Sequence, residues 1–191
     1  MQPLPTLLER VAKQLGAPPS YAEPGVSTSI LSAAARVYGS KPTDDESDEV
    51  TRPTGFDPFA AALFEAVVES AYLVANADGE FDVTERAAFQ HVVLAACEGR
   101  VAAPQVDALL ADLEEQLGED GLDKRISMVV RLVTRADHAK EVLRVASLLA
   151  HVSGGVSEVE RSVLDRLAEG FALSPAEVEQ ALAEAGRAVA D

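Results

Sequence analysis

Apolar residues recur at intervals of three and four from residue 56 to the end of the chain, and this spacing limits the fold more than any other feature. Such a period places apolar side chains on one face of a helix, whereas no run shows the two-residue period of a strand. We therefore expect seven helices, the first starting at Asp57-Pro58 and the others at 82–97, 104–117, 122–135, 137–152, 157–170 and 174–190. The predicted fold class is all-α, a seven-helix bundle with short connections.

The first of these helices is predicted to lie at the centre of the bundle. Its apolar residues form two adjacent stripes, one with Phe59, Leu63 and Val67 and one with Phe64 and Val68. A helix that is apolar around most of its circumference is normally enclosed by other elements. We therefore expect both stripes, including Phe59, to be buried.

Residues 1–55 differ in composition from the rest of the chain. They hold seven of the ten prolines, and the stretch 41–55 is acidic and almost free of large apolar residues. We predict a Pro-rich, partly disordered extension with an acidic linker, ahead of a helical domain at 56–191. Two short helical segments, 6–15 and 27–39, are expected within it, and helices of this length are marginal in water on their own. Either they pack on the protein's own core, or they dock in a groove of a partner.

The charge of the chain limits the classes of partner. The net charge is -16 at pH 7 and the isoelectric point is near 4.5. Such a surface repels phosphate backbones and anionic lipids, so a protein partner is expected rather than nucleic acid or a membrane surface.

No targeting or membrane-spanning segment is recognised in the sequence. The N-terminus does not resemble a secretory signal, and no apolar run approaches the roughly 20 residues of a transmembrane helix. The single cysteine, Cys97, is expected to be a buried apolar residue. We predict a cytoplasmic protein without membrane insertion.

A weak internal repeat is present. Residues 73–89 align without a gap with residues 148–164, at an offset of 75, and the alignment pairs Gly79 with Gly154. Each copy is interpreted as a helix, a glycine turn and further helices. The bundle is therefore expected to consist of two weakly similar helical-hairpin repeats, each covering the apolar face of the other.

The first copy contains an acidic turn, ANADGEFDVTER at residues 75–86, for which helix capping is one explanation. Gly79 can adopt the left-handed conformation that ends a helix. Asp82 then precedes a new helix, with Glu85 three residues later, which is the capping-box pattern in which each side chain accepts a hydrogen bond from the other residue's backbone N–H. The pattern recurs as Ser157 with Glu160 and as Ser174 with Glu177. This explanation needs no ligand.

Metal binding is the other explanation of the acidic turn. In an EF-hand loop the oxygen ligands occupy fixed positions around a central glycine at position 6. With Gly79 at that position, positions 3, 5, 9 and 12 are Asn76, Asp78, Asp82 and Glu85, and the apolar position 8 is Phe81. Position 1, however, is Val74, whose side chain cannot coordinate. The alternative hypothesis is thus a partial oxygen site for a Ca²⁺- or Mg²⁺-like divalent cation.

These residues resemble a known family. The pattern A-x-ADG-x-F-x-x-x-E, an apolar helix before it, the second copy SGGVSEVER at 153–161 and the seven expected helices are similar to the TerB-like tellurite-resistance family, to which the N-terminal domain of DjlA-type co-chaperones is related. The resemblance covers about residues 56–190. It implies a cytoplasmic, non-enzymatic helical protein, associated with resistance to tellurite and other stresses and with larger membrane-associated complexes. It also implies that Asp78, Glu85 and Glu160 are acidic residues proposed to bind metal, although Ser153 stands where a symmetric second site needs an acid.

No enzyme is expected from the motifs. The three histidines, His91, His138 and His151, lack metalloenzyme spacing, and neither a nucleophile elbow nor a phosphate-binding loop is present.

Two functional hypotheses remain. The first is a TerB-like stress-response module that binds a divalent cation through residues 76–85. The second is a scaffold without metal that binds a protein partner through its acidic helical surface and its N-terminal segments.

Overall fold

The computed structural model of the protein describes residues 5–40, 57–79, 81–153 and 155–190. These residues form nine α-helices and no strand, which confirms the all-α prediction. The helices are α1 (Pro5–Gly16), α2 (Ile30–Tyr38), α3 (Pro58–Ala75), α4 (Val83–Ala96), α5 (Ala103–Asp120), α6 (Leu122–Leu132), α7 (Ala136–Ala150), α8 (Glu158–Gly170) and α9 (Pro175–Ala190). A single 3-10 turn, His151–Ser153, follows α7. The predicted acidic linker at 41–55 and Gly154 of the repeat lie outside the described residues.

Helix α3 is the central helix of the bundle. The Asp57 side chain caps it by accepting a hydrogen bond from the Phe59 N–H at 2.9 Å, and Pro58 occupies its first position. Helices α2, α6, α7 and α8 pack around it and bury most of its length. Among the described helices α3 alone is long and apolar enough to cross a membrane, yet 67% of that window is buried inside the bundle, which is the burial of a core helix.

Phe59 is an exception, and its predicted burial is wrong. Its side chain is exposed, and so are the two residues before it, whereas the first buried residue of the helix is Ala61. A helical period indicates which face of a helix turns inward. It does not indicate how far along the axis the neighbouring helices reach, and the first turn of α3 extends past them.

The two N-terminal helices belong to the same core, so the predicted count of seven helices is wrong. Helix α1 lies along α4 and against α9, where Arg10 donates from Nη2 to the carbonyl oxygen of Val189 at 3.0 Å, and α2 packs on α3. Val11, Leu15 and Leu31 are fully buried. Of the two alternatives for these segments, packing on the protein's own core is the one observed. This packing stabilises helices that are too short to persist alone.

The predicted two-repeat architecture is not matched. The pairs α3–α4 and α7–α8 are both helix–turn–helix units, but their surroundings differ. Helix α1 packs along α4 and has no equivalent on α8, while α9 packs along α7 and α5 packs chiefly against α6 and α4. Similar local sequences therefore specify similar turns without specifying symmetric packing, which depends on residues distant in the chain.

Two backbone segments nearly touch at the end of α2. A Cβ atom on Gly39 would lie 1.6 Å from the carbonyl oxygen of Arg100, in the connection between α4 and α5. Glycine is therefore the one residue type that permits this approach.

Cys97, at the start of the same connection, is buried and free, as predicted. Burial raises the pKa of its thiol to about 12.

A buried ion pair joins α3 to α6. Arg125 donates from Nε to Oε1 of Glu69 at 2.6 Å, and each residue is only 7% exposed. Arg125 also donates from Nη1 to Asp120 at 3.2 Å, at the end of α5. Burial raises the pKa of Glu69, and the hydrogen bond from Arg125 opposes that rise by favouring the carboxylate.

Candidate functional site

The acidic turn joins α3 to α4 through a left-handed glycine. Helix α3 ends at Ala75, and the carbonyl of the next residue, Asn76, accepts a hydrogen bond from the Gly79 N–H at 3.1 Å. Gly79 has a φ of +81°, which confirms the predicted left-handed conformation. The glycine thus reverses the chain without the steric cost that a Cβ atom would impose.

An aromatic cluster holds the turn against the bundle. The ring of Phe81 meets the rings of Tyr72 and Phe89 edge-on, with centroids 5.4 and 5.8 Å apart. Val74, which would take position 1 of an EF-hand loop, is fully buried in the core. Packing in the bundle therefore accounts for both Phe81 and Val74 without a ligand.

Asp82 and Glu85 form the predicted capping box at the start of α4. Oδ1 of Asp82 accepts hydrogen bonds from the backbone N–H of Thr84 at 2.6 Å and of Glu85 at 2.8 Å. In return, Oε2 of Glu85 accepts one from the Asp82 N–H at 3.1 Å. The two carboxylates therefore satisfy three N–H groups that the helix leaves without an internal partner.

The second box is complete and the third is one-sided. Ser157 Oγ accepts from the Glu160 N–H at 3.2 Å, and Glu160 Oε2 accepts from the Ser157 N–H at 2.7 Å. Glu177 accepts from the backbone N–H of Ser174 at 2.7 Å, but its own N–H bonds to the Ser174 carbonyl rather than to the hydroxyl. Lys140 lies 2.9 Å from Glu177 and, with Ser174, lowers the pKa of that carboxyl to about 2.

The structure brings together some of the four predicted metal ligands and not others. Asp82 and Glu85 share one capping box, Glu160 belongs to another, and Asp78 is exposed on the turn. Within the described ranges, no group of three or more His, Cys, Asp or Glu side chains is close enough to hold a metal ion. A Ca²⁺ site needs six to eight oxygens. The residues of the turn therefore fit helix caps better than a coordination shell, and the cation hypothesis stays a prediction.

The turn geometry predicts the cost of a side chain at Gly79. Gly79→Val is expected to lower the free energy of unfolding by about 1–3 kcal/mol, because a β-branched residue is strained at positive φ. Gly79→Asn is the matched control, since asparagine tolerates this conformation and should cost much less. Urea unfolding of both variants measures the difference, and equal stability of the valine variant and the wild type would contradict the turn assignment.

A groove lies beside α7 and consists of two adjoining cavities of about 650 and 340 Å³. Both cavities are lined by Tyr21, Glu23 and Asp137, so they are parts of one depression, called here the α7 groove. The connection between α1 and α2, the first turns of α3 and the start of α7 bound the larger cavity. Helices α7 and α9 bound the smaller one.

Buried charged residues of α7 fix the walls of this groove. Glu141 accepts a hydrogen bond at 2.5 Å from the N–H of Ile30, the first residue of α2. Arg144 donates from Nη2 to the carbonyl oxygen of Gln14 in α1 at 2.5 Å and from Nε to Glu184 of α9 at 2.6 Å. Helix α7 thereby holds both ends of the connection between α1 and α2. The groove is consequently preformed rather than dependent on a ligand.

The periodicity of the sequence does not reveal this groove, because its walls come from segments far apart in the chain. Phe59 shares a stripe with core residues, so its period does not distinguish it from them. The buried charged residues of α7 have hydrogen-bond partners that are 40, 111 and 130 residues away in the sequence. The one usable signal is the presence of two large apolar residues, Tyr21 and Val26, in a Pro-containing connection. Connections of this kind usually carry polar residues on the surface.

The sequence matches the model of one known protein family. The family model described as Tellurite resistance protein TerB matches residues 64–183, more than half of the chain. The chain belongs to the TerB family. No curated protein and no solved structure matches it significantly. The match confirms the resemblance that the acidic turn indicates.

The TerB match begins at Phe64, within α3, ends within α9 and contains both complete capping boxes. It does not include α1, α2 or the connection between them. The α7 groove therefore combines one wall from the matched region with another from residues outside it. A property of the groove is accordingly a property of this chain rather than something to be taken from the family.

Proposed function

We propose that this TerB-family protein is a cytoplasmic, non-enzymatic module of a tellurite-resistance-type stress response, and that it acts by binding a protein partner. The α7 groove is the observation that supports this proposal most, because large apolar side chains are exposed there on a chain of net charge -16. An exposed apolar patch with a polar rim is typical of an interaction site. A rigid helical bundle is well suited to present such a surface.

Tellurite tolerance of the native host tests this proposal. Deletion of the gene is expected to lower the tellurite concentration that cells survive, and the wild-type protein should restore it. Phe59→Asp, in the groove, should fail to restore tolerance, whereas Val159→Asp, at an exposed position on α8, should succeed. Unchanged tolerance after deletion would contradict the stress-response role, and full restoration by Phe59→Asp would contradict the role of the groove.

Cation binding at the acidic turn is the second candidate, favoured by the three carboxylates of Asp78, Asp82 and Glu85 within one turn. The variant Asp82→Asn distinguishes cation binding from helix capping. Asparagine caps a helix as well as aspartate does, but it lacks the charge that a divalent cation prefers. We propose that the turn is a capping device. Asp82→Ala should then lower the free energy of unfolding by about 1 kcal/mol, and Asp82→Asn should lower it much less.

Thermal unfolding of metal-stripped protein completes that comparison. Ca²⁺, Mg²⁺, Mn²⁺ and Zn²⁺ are expected to shift the unfolding midpoint of the wild type and of Asp82→Asn equally. A ligand present at about 100 times its dissociation constant adds about 2.7 kcal/mol, so a specific site would be easily visible. A cation that raises the midpoint of the wild type but not that of Asp82→Asn would establish a metal site instead.

A further inference from the structure

Three large apolar side chains gather at the α7 groove although they are distant in the sequence. Tyr21, Val26 and Phe59 are 40, 49 and 52% exposed, and they make up half of the six large hydrophobic residues exposed in the described parts of the chain. All three line the larger cavity, beside Ala33, Ala34 and Leu63. Their convergence gives the groove an apolar half that water contacts in the free protein.

The other half of the groove is acidic. The lining of the two cavities contains five carboxylates but only three lysine or arginine side chains. These three cations are already paired within the groove, as Arg135 with Asp137, Lys140 with Glu177 and Arg144 with Glu184. Glu23 adds a carboxylate where the two cavities join. The groove therefore has an excess of negative charge next to its apolar half.

The two carboxylates that pair with Arg135 and Lys140 keep their charge at physiological pH. The hydrogen bond from Arg135 lowers the pKa of Asp137 to about 2, and the contact with Lys140 does the same for Glu177. Burial lowers the pKa of His138, the histidine of the lining, so this residue adds no compensating positive charge near pH 7. Burial raises the pKa of Glu141, and the hydrogen bond from the Ile30 N–H opposes that rise. Because Asp137 and Glu177 are each paired with a cation, the excess negative charge of the groove comes chiefly from Glu23.

This distribution of charge selects one class of occupant. The chain's own acidic stretch, 41–55, would be repelled by the carboxylates of the groove, and so would a second copy with a net charge of -16. A segment with an apolar face and a positive charge would satisfy both halves. The groove is open to solvent and is formed between helices, which suits an amphipathic helix laid into it.

We propose that the α7 groove binds an amphipathic helical segment of a partner protein, with its apolar side chains on Tyr21, Val26 and Phe59 and a lysine or arginine at Glu23. The inference rests on the proposed function and specifies the chemistry of the partner. A cation at Glu23 would also approach the aromatic ring of Tyr21, which lines the same junction. Because the connection between α1 and α2 lies outside the TerB match, selection of the partner is assigned to the part of the chain that the family model does not include.

A synthetic peptide tests this assignment. The probe is a fluorescently labelled amphipathic helix of roughly 14 residues, long enough to be partly helical in water, composed of leucine on one face and lysine on the other. The control peptide carries glutamate in place of every lysine. We expect the wild-type protein to bind the lysine peptide at least about tenfold more tightly in fluorescence anisotropy, a difference that corresponds to 1.4 kcal/mol. Changes in backbone amide NMR shifts should concentrate at residues 19–29 and at the starts of α3 and α7.

Phe59→Asp is the decisive variant, and Val159→Asp is its matched control. Each residue occupies the second position of its helix, and their exposed fractions are 52 and 49%. An acidic residue is favourable in the first turn of a helix, so both variants should fold, which circular dichroism will verify. Phe59→Asp is expected to weaken peptide binding about tenfold or more, and Val159→Asp less than about twofold. Glu23→Gln should weaken binding and reduce its dependence on salt.

Three outcomes would overturn the inference. Equal effects of Phe59→Asp and Val159→Asp would show that the peptide is attracted by overall charge and not by the groove. Equal affinity for the two peptides would remove the requirement for a basic partner. A wild-type dimer in sedimentation that Phe59→Asp converts to a monomer would place a second copy in the groove. If the lysine peptide does not bind but Phe59→Asp still fails to restore tellurite tolerance, the inference about the basic helix is wrong and the proposed function is unaffected.

Discussion

Arg125→Met is expected to lower the free energy of unfolding by about 3–5 kcal/mol, because it leaves Glu69 charged and without its cation inside the bundle. The bond between Arg125 Nε and Glu69 Oε1 is 2.6 Å long, and both residues are almost inaccessible to water. The cost comes less from the lost attraction than from the unpaired carboxylate that remains. Chemical denaturation at pH 7.5 gives the loss directly.

The loss should depend on pH in a defined direction. Burial already raises the pKa of Glu69, and removal of Arg125 takes away the main influence that opposes this rise. In the variant, the folded state therefore takes up a proton at a higher pH than the unfolded state does, so its stability recovers as the pH falls through the raised folded pKa toward the ordinary glutamate value. The deficit relative to the wild type should be largest at neutral pH and smaller near pH 5. A deficit that is constant between these two values would mean that Glu69 is not the source.

Two further variants isolate the buried pair. Glu69→Leu combined with Arg125→Met replaces both partners with apolar groups and should recover most of the lost stability. Arg161→Met is the surface control, because its partners Asp165 and Glu179 are largely exposed, and such pairs contribute about 0–1 kcal/mol. If the double variant is as unstable as Arg125→Met, the unpaired charge is not the cause of the loss.

Gly39→Ala is the second large effect, with an expected loss of about 3 kcal/mol. A methyl group cannot occupy a point 1.6 Å from the Arg100 carbonyl oxygen, so the end of α2 has to move away from the α4–α5 connection. The obstacle is backbone, which cannot rotate aside as a side chain can. The shift should also disturb the packing of Tyr38, whose ring stacks on Phe64 with centroids 4.5 Å apart.

Gly118→Ala is the matched control for that variant. Gly118 lies within α5, and an added Cβ atom there meets no other atom within 4 Å. Alanine should therefore stabilise the protein by about 0.5–1 kcal/mol, because it favours the helix over the unfolded chain. Opposite signs for the two alanine substitutions in urea unfolding are the expected result. A loss at Gly39 no larger than the change at Gly118 would contradict the close approach.

The features that sequence analysis predicts well here are those determined within a few residues. The capping box of Asp82 with Glu85 and the left-handed Gly79 depend on neighbours in the chain, and both are observed. The helix periods likewise indicate all seven helices after residue 56, because amphipathic spacing is a local property.

What the sequence does not predict depends on distant residues. The pair Glu69–Arg125 spans 56 residues, and the bond from Arg144 to Gln14 spans 130. No local pattern distinguishes these arginines from surface ones. The same is true of Phe59, whose exposure depends on where other helices end. The groove therefore emerges only from the assembled bundle, while the acidic turn, conspicuous in the sequence, proves to be capped locally.

The bond between Arg10 and Val189 joins the first helix to the last. A ribosome releases α1 and α7 before it completes α9, so the nascent chain carries apolar surface of these two helices that α9 has not yet reached. Chains that terminate early would therefore keep this surface accessible to proteases and chaperones. Closure of the core around α1 and α7 therefore waits for α9.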